Sequence, residues 1–285
     1  MNFYIVLVLY KTKLEDSLTI ISLSNYLSSN FDILVYDNSP DKQYDNSHFR
    51  LKNLNINYVH DESNPGLSHA YNYALSSASI NKLNWLLLLD QDTSLTKDYL
   101  EEITTLNLSQ ATNDFVCVIP NVKSIEKNTI ISPAKFSLGG VCRPIVFKPG
   151  ITSFPITGIN SGTILNVEFM NSINGFNSDF KLDMLDHWYF REISKRKKSI
   201  LLLQSTIYQN LSIFGEFEQN ISIIRYNNLL IAERKFIEDD KLISFYIYKF
   251  RLLIRSLRQL KYNNKEYFQI TFNQLIGISF FKMEF

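Results

Sequence analysis

Three groups of residues have the types and spacing to do chemistry. Asp90-Gln91-Asp92 follows the apolar run Trp85-Leu86-Leu87-Leu88-Leu89. Two carboxylates at i and i+2 just past a buried strand offer oxygen ligands to a hard divalent cation, which can neutralise a departing diphosphate. The plainer reading is that Asp92-Thr93-Ser94 caps the next helix. Asn64-Pro65-Gly66, followed by His69, Tyr71 and Asn72, forms the second group. Its glycine lets backbone approach a ligand and its helix N-terminus favours an anion, or it is a simple turn with an N-cap. The third runs from Lys181 to Arg191. If it is helical throughout, Asp183, Asp186 and His187 share one face, beside an aromatic wall at Trp188. A carboxylate so placed suits a general base, and helix capping with surface charge is the alternative.

These residues need elements that bring them together. Over the first 120 residues, short apolar runs alternate with helical patterns, which predicts βαβ units around a parallel sheet. Strands are expected at 3–9, 31–36, 56–60, 85–89 and 115–119, with helices near 14–27, 67–77 and from 96. In such sheets ligands bind beyond the carboxyl ends of the strands. Tyr10, Asp37, the stretch Asp61 to Asn64, and Asp90 with Asp92 all fall at those ends. Residues 120–165 hold five of the seven prolines and read as loops and short strands able to carry a binding site. Further on, 183–197 reads as helix, 200–208 as strand and 219–262 as mainly helical.

Composition narrows the class. Of 285 residues, 45% are hydrophobic and 20% charged, which excludes disordered, collagenous and coiled-coil chains. Cys117 and Cys142 make no metal or disulfide framework, and they fit a reducing, cytoplasmic setting. The first residues read as a strand, not a signal peptide, and no apolar run approaches the ~20 residues of a membrane span. Residues 1–180 carry 12 Lys and Arg against 17 Asp and Glu, whereas residues 181–285 carry 17 against 11. A nucleic-acid binder needs a continuous basic face, so this split argues against one.

The ordered motifs DNSP (37–40), NPG (64–66) with AYNYAL (70–75), LLLLDQDT (86–93), TGINSGTILN (157–166), INGF (173–176) and LDMLDHW (182–188) resemble inverting family 2 glycosyltransferases of the GT-A fold. The nearest flavour is bacterial rhamnosyltransferases of surface-polysaccharide synthesis, and the likeness covers roughly residues 3–212. It implies an α/β fold, a Rossmann-like, mostly parallel sheet flanked by helices. It also implies a GT-A domain at 1–215, with a nucleotide-sugar half (1–120) and an acceptor half (121–215), and a helical extension at 216–285. By this resemblance Tyr10, Asp37, Asn64 and Gly66 contact nucleoside and diphosphate, and Asp90 and Asp92 serve the sugar nucleotide and a Mg²⁺ or Mn²⁺ ion. Asp186 takes the catalytic-base position, preceded by Leu185 where the family has Glu. Arg191 stands five residues on, where the family's Arg stands at six. Ser161 and Gly162 lie near the sugar, and Asp183, His187 and Trp188 near acceptor or sugar. Gln209 replaces a family His close to metal and diphosphate, so the metal site keeps fewer strong protein ligands. The implied reaction is one in-line displacement: Asp186 deprotonates an acceptor hydroxyl as it attacks the anomeric carbon of dTDP-rhamnose or a UDP-hexose. The implied acceptor is a lipid-linked saccharide of capsule, O-antigen or cell-wall synthesis.

The tail bears on that acceptor. From 245 to 261, Arg251, Arg255, Arg258 and Lys261 line one helical face, with Tyr246, Phe250, Leu253, Leu257 and Leu260 opposite. Such a helix can lie on an anionic membrane, giving a peripheral protein at its inner face, or pack on its domain with a solvated basic face. The aromatic-rich stretch 268–285 would add packing or a homodimer contact. Two rivals remain at this stage. A haloacid dehalogenase-type phosphatase also opens its site with a strand and DxD, but wants it on an early strand with Thr or Val where Ser94 stands. A non-catalytic transferase-like sugar-binding module would keep the fold without turnover.

Overall fold

The apolar runs become strands in the structure, a computed structural model that describes residues 3–27, 31–108, 114–210 and 217–277. In chain order come β1 (Phe3–Leu9), α1 (Leu18–Tyr26), β2 (Phe31–Asp37), β3 (His48–Leu51), β4 (Leu54–His60), α2 (Leu67–Ile80), β5 (Trp85–Asp90), α3 (Lys97–Thr105) and β6 (Cys117–Lys123). There follow β7 (Ile130–Ser132), β8 (Ala134–Ser137), β9 (Val141–Pro144), β10 (Gly150–Thr152), β11 (Thr163–Asn166), α4 (Val167–Ser172), α5 (Leu185–Lys195) and β12 (Ile200–Tyr208). The fold is α/β. A sheet of order β10-β12-β6-β11-β5-β1-β2-β4-β3 has helices packed on it, with β7 beside β6. β1 sits centrally because it is apolar on both faces: Ile5 aligns with Ile33 of β2 and Leu87 of β5, both in parallel register.

Among the described residues four short strands, β3, β7, β10 and β11, run antiparallel to their neighbours. β3 runs antiparallel at one edge, and β11 lies antiparallel between β5 and β6, with Ile164 opposite Leu87 and Val118. Each has only four residues, too few for alternation to show. The helix expected over 183–197 starts later, at Leu185, because Met184 adopts a left-handed φ of 67°. Asp183 therefore lies in the preceding turn and does not share a helical face with Asp186 and His187, which corrects the face expected from spacing.

By contacts the chain divides into one unit of residues 1–135 with 144–210 and another of 136–143 with 211–285. The second unit carries α6 (Phe217–Asn220), α7 (Ile223–Glu238), α8 (Leu242–Gln259) and α9 (Glu266–Ile276). α8 packs its polar side inward: Ser244, Tyr248, Leu252, Ser256 and Gln259 are buried. Arg255 makes a bidentate pair with Glu233 of α7 at 2.9 and 3.0 Å, and Arg251 donates to the Gly139 carbonyl. Lys249 caps the end of α9 through the Gln274 carbonyl at 2.7 Å. The faces expected for this helix are present, but Arg251 and Arg255 turn toward the protein and not toward solvent. No helix among the described residues is long and apolar enough to cross a membrane. The boundary expected at 215–216 and the tail from 278 to 285 lie outside the described residues.

Candidate active site

Strand β5 delivers its carboxylates through a turn held on every side. The Asp90 N–H donates to Ser161 Oγ at 3.1 Å, and Ser161 Oγ pairs with Thr93 Oγ1 at 2.6 Å. Ser17 Oγ donates to the Gln91 carbonyl at 2.8 Å, and Thr19 Oγ1 donates to the carbonyls of Asp90 and Thr93. Ser94 and Tyr208 exchange backbone hydrogen bonds of 2.8 and 3.0 Å, which carries Gln209, just past β12, onto the carboxylates. Gln209 Nε2 donates to Asp92 Oδ1 at 2.9 Å and Asp90 Oδ2 at 3.2 Å. Its Oε1 is buried and has no hydrogen-bond partner among the described residues.

This arrangement leaves negative charge poorly compensated. Burial first, and then the neighbouring charge of Asp92, push the Asp90 carboxyl up to about 7, against hydrogen bonds from Gln209 and Tyr71 that favour its ionised form. A neutral amide bridges the two acids where a cation would neutralise them. Turning that amide over exchanges its two ends and aims the orphaned Oε1 at the same point. Asp90, Asp92 and Gln209 then form an all-oxygen donor set, which fits a hard ion such as Mg²⁺ or Mn²⁺. Among the described residues no cluster of three His, Cys, Asp or Glu side chains surrounds a metal position, so substrate oxygens and water would have to complete the coordination.

The middle residue of the acidic motif has a task that spacing did not reveal. Gln91 Oε1 accepts from the Tyr10 N–H at 2.7 Å, and Gln91 Nε2 donates to the Tyr10 carbonyl at 3.2 Å. Its amide thus ties the end of β1 to the end of β5 and sets the half-exposed Tyr10 ring. Asp37, expected to contact nucleoside, is wholly buried. Its Oδ1 accepts from Ser39 N–H at 3.0 Å, and its Oδ2 accepts from Gln43 Nε2 at 2.9 Å and the Tyr58 hydroxyl at 2.7 Å. In this structure Asp37 organises the loop after β2.

The second and third sequence groups meet. Gly66, the N-cap of α2, has φ of 97°, and a Cβ there would stand 2.4 Å from the Lys181 carbonyl oxygen. That carbonyl accepts from the Leu67 N–H at 2.6 Å. The first N–H of α2, read above as an anion donor, is thus closed by the segment that leads to Asp186. Asn72 brackets the INGF turn, since Phe176 N–H donates to Asn72 Oδ1 and Asn72 Nδ2 donates to the Phe176 carbonyl, both at 2.8 Å. Tyr71 is fully buried on the Phe176 ring and points its hydroxyl at Asp90 Oδ1, 3.3 Å away.

Asp186 stands in the first turn of α5, its Oδ1 accepting from the His187 N–H at 2.7 Å. That position sets its side chain at the positive end of the helix dipole. His187 Nδ1 contacts Thr157 Oγ1 at 2.7 Å and lies 3.7 Å from Asp186 Oδ1. The Asp186 charge is the least of the influences raising Asp90 and Tyr71. The structure thus joins Asp90, Asp92, Gln209 and Tyr71 by hydrogen bonds, with the Asp186 charge within electrostatic range. Ser161 and Gly162 stay behind them: Ser161 is buried, and a Cβ on Gly162 would lie 2.7 Å from Ile207. Trp188 is 8% exposed and mainly a core residue. Asn64, at the φ-positive start of the NPG turn, makes a backbone bond to Asp61.

Residues 15–161, just over half of the chain, match the sequence profile described as Glycosyl transferase family 2. No curated protein sequence matches the chain. Residues 1–349 of S. aureus TarS superpose at TM-score 0.52 and 15% identity, over 98% of this chain and 83% of that one. The same TarS fragment in complex with UDP-GlcNAc gives 0.52 and 15% over 98% and 81%. GalNAc-T7 with UDP, GalNAc and Mn²⁺ gives 0.56 and 13% over 96% of this chain, which spans about half, 54%, of GalNAc-T7. At such identities the structural neighbours establish the fold, and the profile match establishes the family. The chain belongs to glycosyl transferase family 2 and is a glycosyltransferase.

Proposed function

We propose that this enzyme transfers a hexose from a UDP-hexose or dTDP-rhamnose, with inversion, to a hydroxyl of a lipid-linked saccharide in bacterial surface-polysaccharide synthesis. The rhamnosyltransferase-like motifs support the donor class and pathway. The observation that supports the mechanism is that Asp186, in the first turn of α5, lies within electrostatic range of Asp90 and Tyr71, as a base facing the diphosphate site would. Asp186 takes the proton of the acceptor hydroxyl as its oxygen bonds to the anomeric carbon. The bond from that carbon to the diphosphate oxygen breaks, and the electron pair leaves with the nucleoside diphosphate. Mg²⁺ or Mn²⁺, held by Asp90, Asp92 and Gln209 Oε1, would supply charge neutralisation to the leaving group when bound. The neighbours with UDP-GlcNAc and with UDP and Mn²⁺ support this reading of donor and cation. Asn64, Gly66 and Tyr10 would shape the nucleotide end, and Asp183, His187 and Trp188 the acceptor end. A peripheral position at the inner face of a membrane would bring the enzyme to its acceptor, and a homodimer is compatible with it.

Release of nucleoside diphosphate from a panel of nucleotide sugars, with and without Mn²⁺ and with saccharide acceptors, tests the proposal. Turnover with one donor that Asp186→Asn lowers by about 10²–10⁴ is the expected result. A second reading has one observation behind it: the Gln209 amide already bridges Asp90 and Asp92, as a sugar-binding module without turnover would allow. Donor binding with no diphosphate release under any condition would select it.

A further inference from the structure

A carboxylate at the end of an aspartate side chain turns through a broad torsional well, so its own rotamer does not decide where each oxygen points. At Asp90 the two oxygens are held by different elements. Oδ1 accepts from the Tyr71 hydroxyl of α2 at 3.3 Å, and Oδ2 accepts from Gln209 Nε2 at 3.2 Å. The same Gln209 nitrogen donates to Asp92 Oδ1 at 2.9 Å. Asp90 Oδ2 is therefore the oxygen on the side of Asp92, and Tyr71 holds the other one away from it.

Packing fixes that hydroxyl before any ligand arrives. The Tyr71 ring is wholly buried and lies 5.2 Å from the ring of Phe176, centroid to centroid. Phe176 in turn meets Tyr189 of α5 edge-on at 6.1 Å. Asn72, the next residue of α2, grips the backbone of Phe176 through two bonds of 2.8 Å. Gly175 closes this clamp, because at its φ of 76° a Cβ would stand 2.4 Å from Asn72 Oδ1. If position 71 only filled the core, phenylalanine would do so without burying a hydroxyl. The hydroxyl is also a weak fastener, since 3.3 Å exceeds the ~2.7–2.8 Å of a strong O–H···O bond. What it supplies is direction.

We propose that Tyr71 is a positioning residue of the donor site: it fixes the rotation of the Asp90 carboxylate so that Oδ2, beside Asp92 Oδ1, is the oxygen offered to the divalent cation. This deepens, and rests on, the reading of Asp90 and Asp92 as the cation and diphosphate site. Tyr71 acts through Asp90 and touches neither the donor nor the acceptor.

Calorimetric titration of the full chain with UDP and with dTDP, each with and without Mn²⁺, tests it. The wild type should bind one nucleotide more tightly when Mn²⁺ is present, and Asp90→Asn should lose that gain. Tyr71→Phe keeps the ring and its packing. With Mn²⁺ its nucleotide dissociation constant should rise about tenfold, and without Mn²⁺ it should match the wild type. Its thermal midpoint should stay within about 3 °C of the wild type. Phe176→Leu keeps the hydroxyl but loosens the ring beneath it. It serves if Tyr71→Phe does not fold, with an expected rise of about threefold under Mn²⁺ alone. A Tyr71→Phe protein that keeps the Mn²⁺ gain, while Asp90→Asn loses it, overturns the proposal and leaves the site reading standing. Equal weakening with and without Mn²⁺ also overturns it, because a residue that merely supports the fold would act on both. A Phe176→Leu protein with no rise, where Tyr71→Phe is unfolded, does the same. An Mn²⁺ gain that is absent from the wild type, or that survives in Asp90→Asn, defeats the site reading and the proposal with it.

Discussion

The turn at Asp90–Asp92 and the segment Lys181–Asp186 both present carboxylates, yet they are held in opposite ways. Four side-chain hydroxyls and two glutamine amides fasten the first, so its geometry survives the loss of any one bond. The second is placed through its backbone, by the Lys181 carbonyl on Leu67, the Met184 carbonyl on Trp188 and a left-handed Met184. The difference assigns tasks. A turn braced by side chains suits a group that must receive charge at a fixed point, and a segment placed through its backbone suits one that presents a base to the acceptor.

The largest test of that contrast is chemical. Asp186→Asn keeps shape and helix but removes the proton acceptor, so turnover should fall by about 10²–10⁴, or ~3–5 kcal/mol of barrier, with nucleoside diphosphate binding nearly unchanged. Asp183→Asn, in the turn before the helix, should cost far less. If Asp183→Asn is the inactive variant, the base lies one position group earlier. Next in size is Gly66→Ala. Its Cβ would press on the Lys181 carbonyl at a backbone angle that L side chains rarely adopt. Thermal unfolding should report a loss of about 2–4 kcal/mol, and turnover should suffer more than donor binding because the disturbance travels to Asp186. Equal losses in both would show that the two turns are not separable.

Asp90→Asn sharpens the other side. A carboxyl raised to about 7 from 3.8 makes the native state bind more protons than the unfolded chain between those values, so wild-type stability falls as pH rises through them. The Asn variant lacks that fall. Relative to wild type it should gain about 1–3 kcal/mol in urea unfolding between pH 5 and pH 8. A gap that does not change with pH would mean that Asp90 is already ionised at pH 5. The smallest effect is expected for Gln91→Ala, which removes two bonds to Tyr10 on a half-exposed edge. About 1 kcal/mol of stability should go, together with a weaker grip on nucleoside diphosphate and an unchanged kcat.

How much of this could be read from the residues varies with how local the cause is. β1, β2, β5 and β12 were legible because continuous apolar runs have one buried solution, and the acids at their ends followed. β11 was hidden by its length, and the late start of α5 by a left-handed methionine that no residue preference announces. Gly66 was legible as a place of close approach, but what approaches is the Lys181 carbonyl, supplied from far along the chain. The hydrogen bonds that Gln43 and Tyr58 give Asp37 were not legible, because neither residue stands at a telling spacing. In α8 periodicity separated two faces correctly. Which face turns inward depended on Glu233, an acid on another helix.

The Gln91 bracket also sets a clock. The Tyr10 amide lies past the last residue of β1, on a residue 43% exposed, where hydrogen exchange with solvent is ordinarily rapid. A side-chain carbonyl supplies the rung that the strand backbone no longer can. The Tyr10 amide proton should then exchange in step with the interior of β1 and open only when the Gln91 side chain swings away. Asparagine at that position, one methylene shorter, would leave the bracket unclosed and return the proton to the fast regime. A single amide resonance thus times how often the two central strands part at the mouth of the site.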